Sequence, residues 1–133
     1  MSDGFSSSKF VPAIDPAAGT GAPGVVEVDG AGYQYAVFVV TLGTIGAGGG
    51  STVKVQESAT SGGSFADVAG TSVVIGDTDD DSTKVIAVNL AGRERYLKMA
   101  ATTPAASTAM AAVCVLTNGI NTSNYASAPD AVV

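Results

Sequence analysis

Thr52-Val-Lys-Val-Gln-Glu-Ser58, followed by Ser61-Gly-Gly-Ser64 and Phe65-Ala-Asp-Val68, is the stretch that decides the fold. Val53 and Val55 alternate with Thr52, Lys54 and Gln56, the period of a strand with one face buried and one face wet. The glycine pair supplies a tight reversal before strand-like composition resumes, so the whole reads as a β-hairpin. Gly92-Arg-Glu-Arg-Tyr-Leu-Lys-Met99 repeats the theme, with a glycine entry and then Arg95, Leu97 and Met99 on one face against Glu94, Tyr96 and Lys98 on the other. Neither run contains a catalytic signature.

Working outward, residues 25–28 form a short strand and Asp29-Gly30 marks a turn. Residues 33–42 are apolar on both faces: Tyr33, Tyr35, Val37 and Val39 on one, Ala36, Phe38, Val40 and Leu42 on the other. An exposed antiparallel sheet keeps one wet face, so this pattern predicts a central strand covered by a second sheet and, on its other side, by a loop or a neighbour. Further strands are expected over 65–69, 71–75, 83–90, 94–101 and 108–117. The last sets Ala109, Ala111, Val113 and Val115 against Met110, Ala112, Cys114 and Leu116. Seven to nine short strands separated by turn signals predict an all-β chain, an antiparallel β-sandwich or jelly roll. The glycine-rich segment 43–50 lacks the Gly-Lys-Ser/Thr ending of a phosphate loop and reads as a flexible hairpin loop.

Composition agrees with strands and narrows the chemistry. The 133 residues suit one core, and 17 glycines with few helix-favouring residues favour strands joined by tight turns. Twelve acidic against six basic residues leave a net charge of −6, which argues against nucleic-acid binding through clustered cations. Histidine is absent, removing the commonest general base and metal ligand, and the single cysteine, Cys114, sits on an apolar strand face as a small hydrophobe. No cofactor and no enzyme activity are expected. No apolar run approaches the roughly 20 residues of a membrane helix, and the first residues lack signal-peptide character, so no membrane is expected and synthesis in a cytoplasm is.

Two flanking segments differ from this middle. Residues 1–24 hold three of the five prolines and the scattered apolar residues Phe5, Phe10, Val11 and Ile14, with no strand or helix period. They read as an extended arm, either mobile or docked through those four residues on a neighbouring subunit. Residues 25–117 are the sandwich domain, and 118–133 revert to a tail rich in Asn, Ser and Ala, which includes Tyr125 and the sequon Asn121-Thr-Ser123. Asp77, Asp79 and Asp81 match the first three ligand positions of an EF-hand loop, but Ser82 and Val88 occupy its glycine and glutamate positions. A solvated acidic turn is the better reading, with a partial cation site as its rival. Arg93, Arg95 and Lys98 surround Glu94 and read as surface ion pairs.

The order of these motifs resembles a family. An Asp29-Gly30 turn precedes an aromatic strand with Tyr33 and Tyr35, then come Val53-Lys-Val-Gln-Glu-Ser58, a glycine turn, Phe65-Ala-Asp-Val68 and Gly92-Arg-Glu-Arg-Tyr-Leu-Lys98. Over roughly residues 25–101 the chain resembles the capsid decoration, or cement, proteins of tailed bacteriophages. The resemblance implies a β-sandwich that binds the outer surface of an assembled head, bridges copies of the major capsid protein, and acts as a small homo-oligomer, a trimer before a dimer. On that reading the protein is made in the bacterial cytoplasm and resides on the virion. Lys54, Gln56, Arg93, Arg95 and Tyr96 are the expected contact residues of the domain, with Phe5, Phe10, Val11 and Ile14 in the arm. The alternative is a carbohydrate-binding or host-adhesion sandwich, for which tryptophan is missing and Tyr96 and Tyr125 are the candidate exposed aromatics. A glycosidase would need a carboxylate pair from Glu57, Asp67 and Glu94, and nothing in their spacing selects one.

Overall fold

The structure, a computed structural model, describes residues 8–118 and the backbone of Ala131–Val132. Nine strands follow one another: β1 (Lys9–Ala17), β2 (Val28–Asp29), β3 (Tyr35–Ile45), β4 (Ser51–Ser58), β5 (Ala66–Asp67), β6 (Val73–Ile75), β7 (Thr83–Asn89), β8 (Tyr96–Ala101) and β9 (Thr108–Thr117). They form two antiparallel sheets packed as a sandwich. One runs β1-β9-β3-β7; the other runs β2-β8-β4, with β5 and β6 sharing the far edge of β4. A two-residue strand, β10 (Ala131–Val132), lies parallel to β7 opposite Ile86 and Ala87.

The pairing has a simple logic. With β5 and β6 taken as one interrupted strand, β4 pairs with β5/β6, β3 with β7, β2 with β8 and β1 with β9, all antiparallel. That is the order of a single long hairpin wound so that successive pairs fall in alternate sheets, which is jelly-roll topology. The hairpin of β4 and β5, with Gln56 opposite Asp67 and Glu57 opposite Ala66, is its innermost turn. The two quoted stretches are also direct neighbours, since β4 and β8 pair from Val53 opposite Ala101 to Ser58 opposite Tyr96.

Period-2 alternation delivers the core. Ala36, Phe38 and Val40 of β3, Ile86 and Val88 of β7, and Cys114 and Leu116 of β9 face Val53 and Val55 of β4 with Leu97 and Met99 of β8, every one of them fully buried. Between β5 and β6 the edge is broken at Gly70, where φ is +83°, and the side chain of Thr71 fills the gap. Its hydroxyl accepts from the Val55 N–H at 3.0 Å and donates to the Val68 carbonyl at 2.7 Å, so the ladder's polar groups stay paired without a strand beside them.

The fold corrects two expectations. Part of the arm expected over 1–24 is a strand: β1 pairs with β9 from Lys9 opposite Leu116 to Ala17 opposite Met110. Its period was hidden because the register shifts between Pro12 and Ile14 and again before Ala17, so that the consecutive residues Ala13 and Ile14 are both buried. Pro12 is tolerated because β1 is an edge strand. The second correction concerns the segment 43–50, which does not close a hairpin, since β3 and β4 lie in opposite sheets. It is a corner whose amides are held: Gly46 N–H by the Ser107 carbonyl at 2.7 Å, Gly48 N–H by Asp77 at 2.8 Å, and Gly50 N–H by Thr108 Oγ1 at 2.9 Å. The tail expected over 118–133 lies outside the described residues except for Asn118 and the backbone of Ala131–Val132.

Candidate interaction faces

A sandwich with a dry interior can act only through its two outer faces and its loop ends. The outer face of the β2-β8-β4-β5 sheet is polar and gathers the residues singled out from sequence. Gln56 stands opposite Asp67 on one side and Lys98 on the other, with Lys54 one pleat along. Lys54 Nζ meets Asp67 Oδ2 at 2.8 Å and Gln56 Nε2 donates to Asp67 Oδ1 at 2.8 Å. Lys54, ahead of Gln56, holds the Asp67 carboxyl below its ordinary value. Lys98 Nζ lies 4.5 Å from the centroid of the Phe65 ring, a cation–π contact that reaches across β4.

At the end of this face Arg95 forms a fork with Asp29, Nε to Oδ1 at 3.0 Å and Nη2 to Oδ2 at 2.9 Å, while its guanidinium carbon lies 5.0 Å from the Tyr96 ring centroid. Alternation along β8 would turn Arg95 towards the core. It precedes the first paired residue of the strand and its side chain instead reaches out to Asp29, so the expected grouping of Arg95 with Leu97 and Met99 fails at the strand end. Arg93 pairs with Glu57 at 3.6 Å, and the Glu94 N–H donates to Glu57 at 3.3 Å. The ion pairs expected here exist, with partners from β2 and β4 rather than Glu94. All are solvent-accessible, so they order the surface more than they stabilise the fold.

The Asp29 carboxyl is lowered to about 2, first by the Arg95 hydrogen bonds and then by the Ala31 N–H. A depressed carboxylate contributes stability above its unfolded value and loses it as pH falls through the folded one. We therefore expect the Asp29–Arg95 contribution to be complete above about pH 4 and lost towards pH 2. Arg95→Ala should return Asp29 to the ordinary carboxylate range in a carbon-detected NMR titration; an unchanged titration would show that the fork does not hold it.

Among the described residues, the opposite outer face, on β1-β9-β3-β7, carries no charged side chain. Phe10, Val115, Val37 and Ala87 lie side by side, and so do Pro12, Val113, Val39 and Val85, with Ala111, Thr41 and Thr83 in the next row. Val37 and Ala87 are buried, whereas Phe10 and Val113 are 53% and 43% exposed. The apolar patterning of 33–42 had signalled this face. Of the four arm residues expected to contact a neighbour, Phe10 is on it, Val11 is half-buried against the core, and Phe5 lies outside the described residues. Ile14 is a correction: it is 1% exposed in the protein's own core, because the register shift turns it inward, and it cannot reach a neighbour.

The acidic turn has a different use from the one its spacing suggested. Asp77, Asp79 and Asp80 accept backbone N–H groups from Gly48, Gly76 and Ile45 at 2.8, 2.8 and 3.0 Å, and Asp79 also meets Lys84 at 3.5 Å. The carboxylates buckle the 43–50 corner to the turn before β7, and among the described residues no cluster of ligand types is arranged to hold a metal ion. Asp81 takes the left-handed conformation, φ +54°, and its N–H bonds the Gly43 carbonyl. For nucleophilic chemistry, burial pushes the Cys114 thiol up to about 12, so it stays protonated. Asp67 and Glu57 fall on opposite alternations of their paired strands, so these carboxylates do not face a common substrate.

A second feature was not anticipated: Tyr33, Gln34, Tyr35, Asn89, Leu90 and Ala91 line a cleft of about 350 Å³ at the end of β3 and β7. Alternation placed Tyr33 and Tyr35 on one face, but nothing in the sequence pairs that face with Asn89. Of the expected exposed aromatics, Tyr96 is half-buried beside Arg95 and Tyr125 lies outside the described residues.

A scan against protein-family models gives no match for this chain, and a search of curated proteins gives none either. Fold and surface together define a jelly-roll β-sandwich with one polar face and one uncharged face.

Proposed function

We propose that the protein is a structural component of a tailed-phage virion, a decoration protein that binds the outside of the assembled head and bridges copies of the major capsid protein as a small homo-oligomer. The observation that carries this reading is the uncharged outer face of the β1-β9-β3-β7 sheet. On a chain of net charge −6, it is the surface that another protein can approach without like-charge repulsion. Phe10 and Val113 supply its exposed apolar edge. The order of motifs over residues 25–101 adds the resemblance to cement proteins, and the jelly roll is an architecture used in viral capsids. The polar residues Lys54, Gln56, Arg93, Arg95 and Tyr96 then form the rim of contact rather than its centre, since each charged one already has a partner within the chain.

The test is to add purified protein to heads assembled without it and to measure bound protein and the temperature at which the heads release their DNA. Saturable binding with raised heat resistance is expected. Val113→Glu, at a position 43% exposed, should weaken binding about tenfold or more and leave the melting temperature of the free protein unchanged. Absence of binding by the parent protein would sink the proposal. Light scattering reads the subunit number, and a trimer is expected.

A further inference from the structure

The cleft at the end of β3 and β7 borders the uncharged outer face, one row beyond Val37 and Ala87. Its walls are set by the fold. Tyr35 and Asn89 are direct cross-strand neighbours, so the aromatic ring and the carboxamide stand side by side. The backbone around them is tied down: the Leu90 N–H bonds the Gln34 carbonyl at 2.8 Å, the Gln34 N–H bonds the Thr117 carbonyl at 3.2 Å, and the Tyr33 N–H bonds the Gly30 carbonyl at 3.2 Å. Asn89 Oδ1 accepts the Ala91 N–H at 3.0 Å, which orients the carboxamide and leaves its Nδ2 group as a donor to a ligand. These bonds fix the backbone beneath the site and the Asn89 carboxamide, which lowers the cost of binding.

The lining selects a chemical class. None of its six described lining residues is charged, so among these an anionic or cationic ligand would be desolvated without a counter-charge. Tyr35, with the uncovered parts of Tyr33 and Leu90, which pack partly against the core, offers apolar surface, while two carboxamides and two phenols offer hydrogen bonds. A neutral polyol ring, with C–H groups on its face and hydroxyls on its rim, matches both halves. The cleft is a shallow, open depression, so it meets one face of a single ring rather than enclosing an extended chain.

We propose that this cleft binds a neutral hexose residue of a glycan, with Tyr35 as the stacking platform and Gln34 and Asn89 as hydrogen-bonding partners of its hydroxyls. The site would hold the protein to a glycan-bearing surface, and it lies at the end of the outer face proposed for capsid contact, since Tyr35 and Asn89 share the alternation of Val37 and Ala87.

The experiment is an amide NMR titration of the full chain with D-glucose, D-galactose and N-acetyl-D-glucosamine, separately, up to about 0.1 M, well above the millimolar affinity that a small neutral ligand reaches. Saturable shifts centred on residues 33–35 and 89–91 are expected for at least one sugar. Tyr35→Ala and Asn89→Ala should each weaken that binding about tenfold. Tyr35→Phe, which keeps the ring, should retain most of it and guards against misreading an unfolded alanine variant. Absence of saturable shifts with all three sugars overturns the proposal, as does binding that Tyr35→Ala and Asn89→Ala leave intact. Head binding is read in a separate assay, so either proposal can fail without the other.

Discussion

Replacing Phe38 with alanine is expected to lower the free energy of unfolding by about 3–5 kcal/mol. Phe38 lies at the middle of β3, the strand flanked on both sides in its sheet, with Cys114 of β9 and Ile86 of β7 as its cross-strand neighbours. All three are 0% exposed, and Phe38 is the largest fully buried side chain among the described residues. Removing the ring takes away its transfer free energy and opens a cavity that the sheets cannot close, because β3 is held by ladders on either edge. A domain of this size has only about 5–15 kcal/mol in total, so the variant should be partly unfolded at physiological temperature. Urea unfolding followed by circular dichroism should show a reduced midpoint with an unchanged slope. A loss below about 1 kcal/mol would mean that this ring is not packed at the centre of the sandwich.

The second large effect is expected at Gly50. Its φ is +107°, and a Cβ there would be driven into the carbonyl oxygen of Ile75. Neither side can yield cheaply. Ile75 pairs with Ser51 at the start of the β4·β6 ladder, and the Gly50 N–H is held by Thr108 Oγ1 at 2.9 Å. Backbone strain of about 1–3 kcal/mol and overpacking of similar size together predict that Gly50→Ala destabilises by about 2–6 kcal/mol. Gly48 is the matched control. Its φ is +77° but nothing lies within 4 Å of the Cβ position, so Gly48→Ala should cost only the conformational term, about 1–2 kcal/mol. Equal losses for the two variants in chemical denaturation would refute the argument from close approach.

Most of the strands were legible because their alternation is local. β4 and β9 run over the residues expected from pattern alone, and β7 and β8 fall within the expected ranges. β1 was not legible, since two register shifts destroy the period on which such reading depends and Pro12 and Pro16 suggest irregular chain. The candidate faces divide in the same way. The uncharged face was visible in residues 33–42, whose apolar character on both sides requires a cover. The partners of Arg93 and Arg95 were not visible, because the nearest acid in sequence, Glu94, is not the one that pairing brings close: β4 supplies Glu57 and β2 supplies Asp29. The aspartates of 77–81 show how spacing misleads. Spacing suggests convergence on a cation, while three of the carboxylates are engaged by backbone amides of the 43–50 corner and the adjoining turn.

The amino-acid sequence by itself determined the class of the protein: strands from alternation, tight turns from glycine, a single core from length, and a chemistry without histidine or reactive cysteine. These are properties of residue type and short-range order, and no tertiary contact is needed to state them. Which strands pair, and hence which side chains share a surface, was decided only by the tertiary structure. The winding places β1 beside β9 and the Thr52–Ser58 run beside Tyr96–Ala101, across separations no local signal spans. The hairpin 52–68 keeps its central place for that reason: it is the innermost turn about which the remaining pairs are wound, and the jelly roll follows from wrapping them, not from any residue within it.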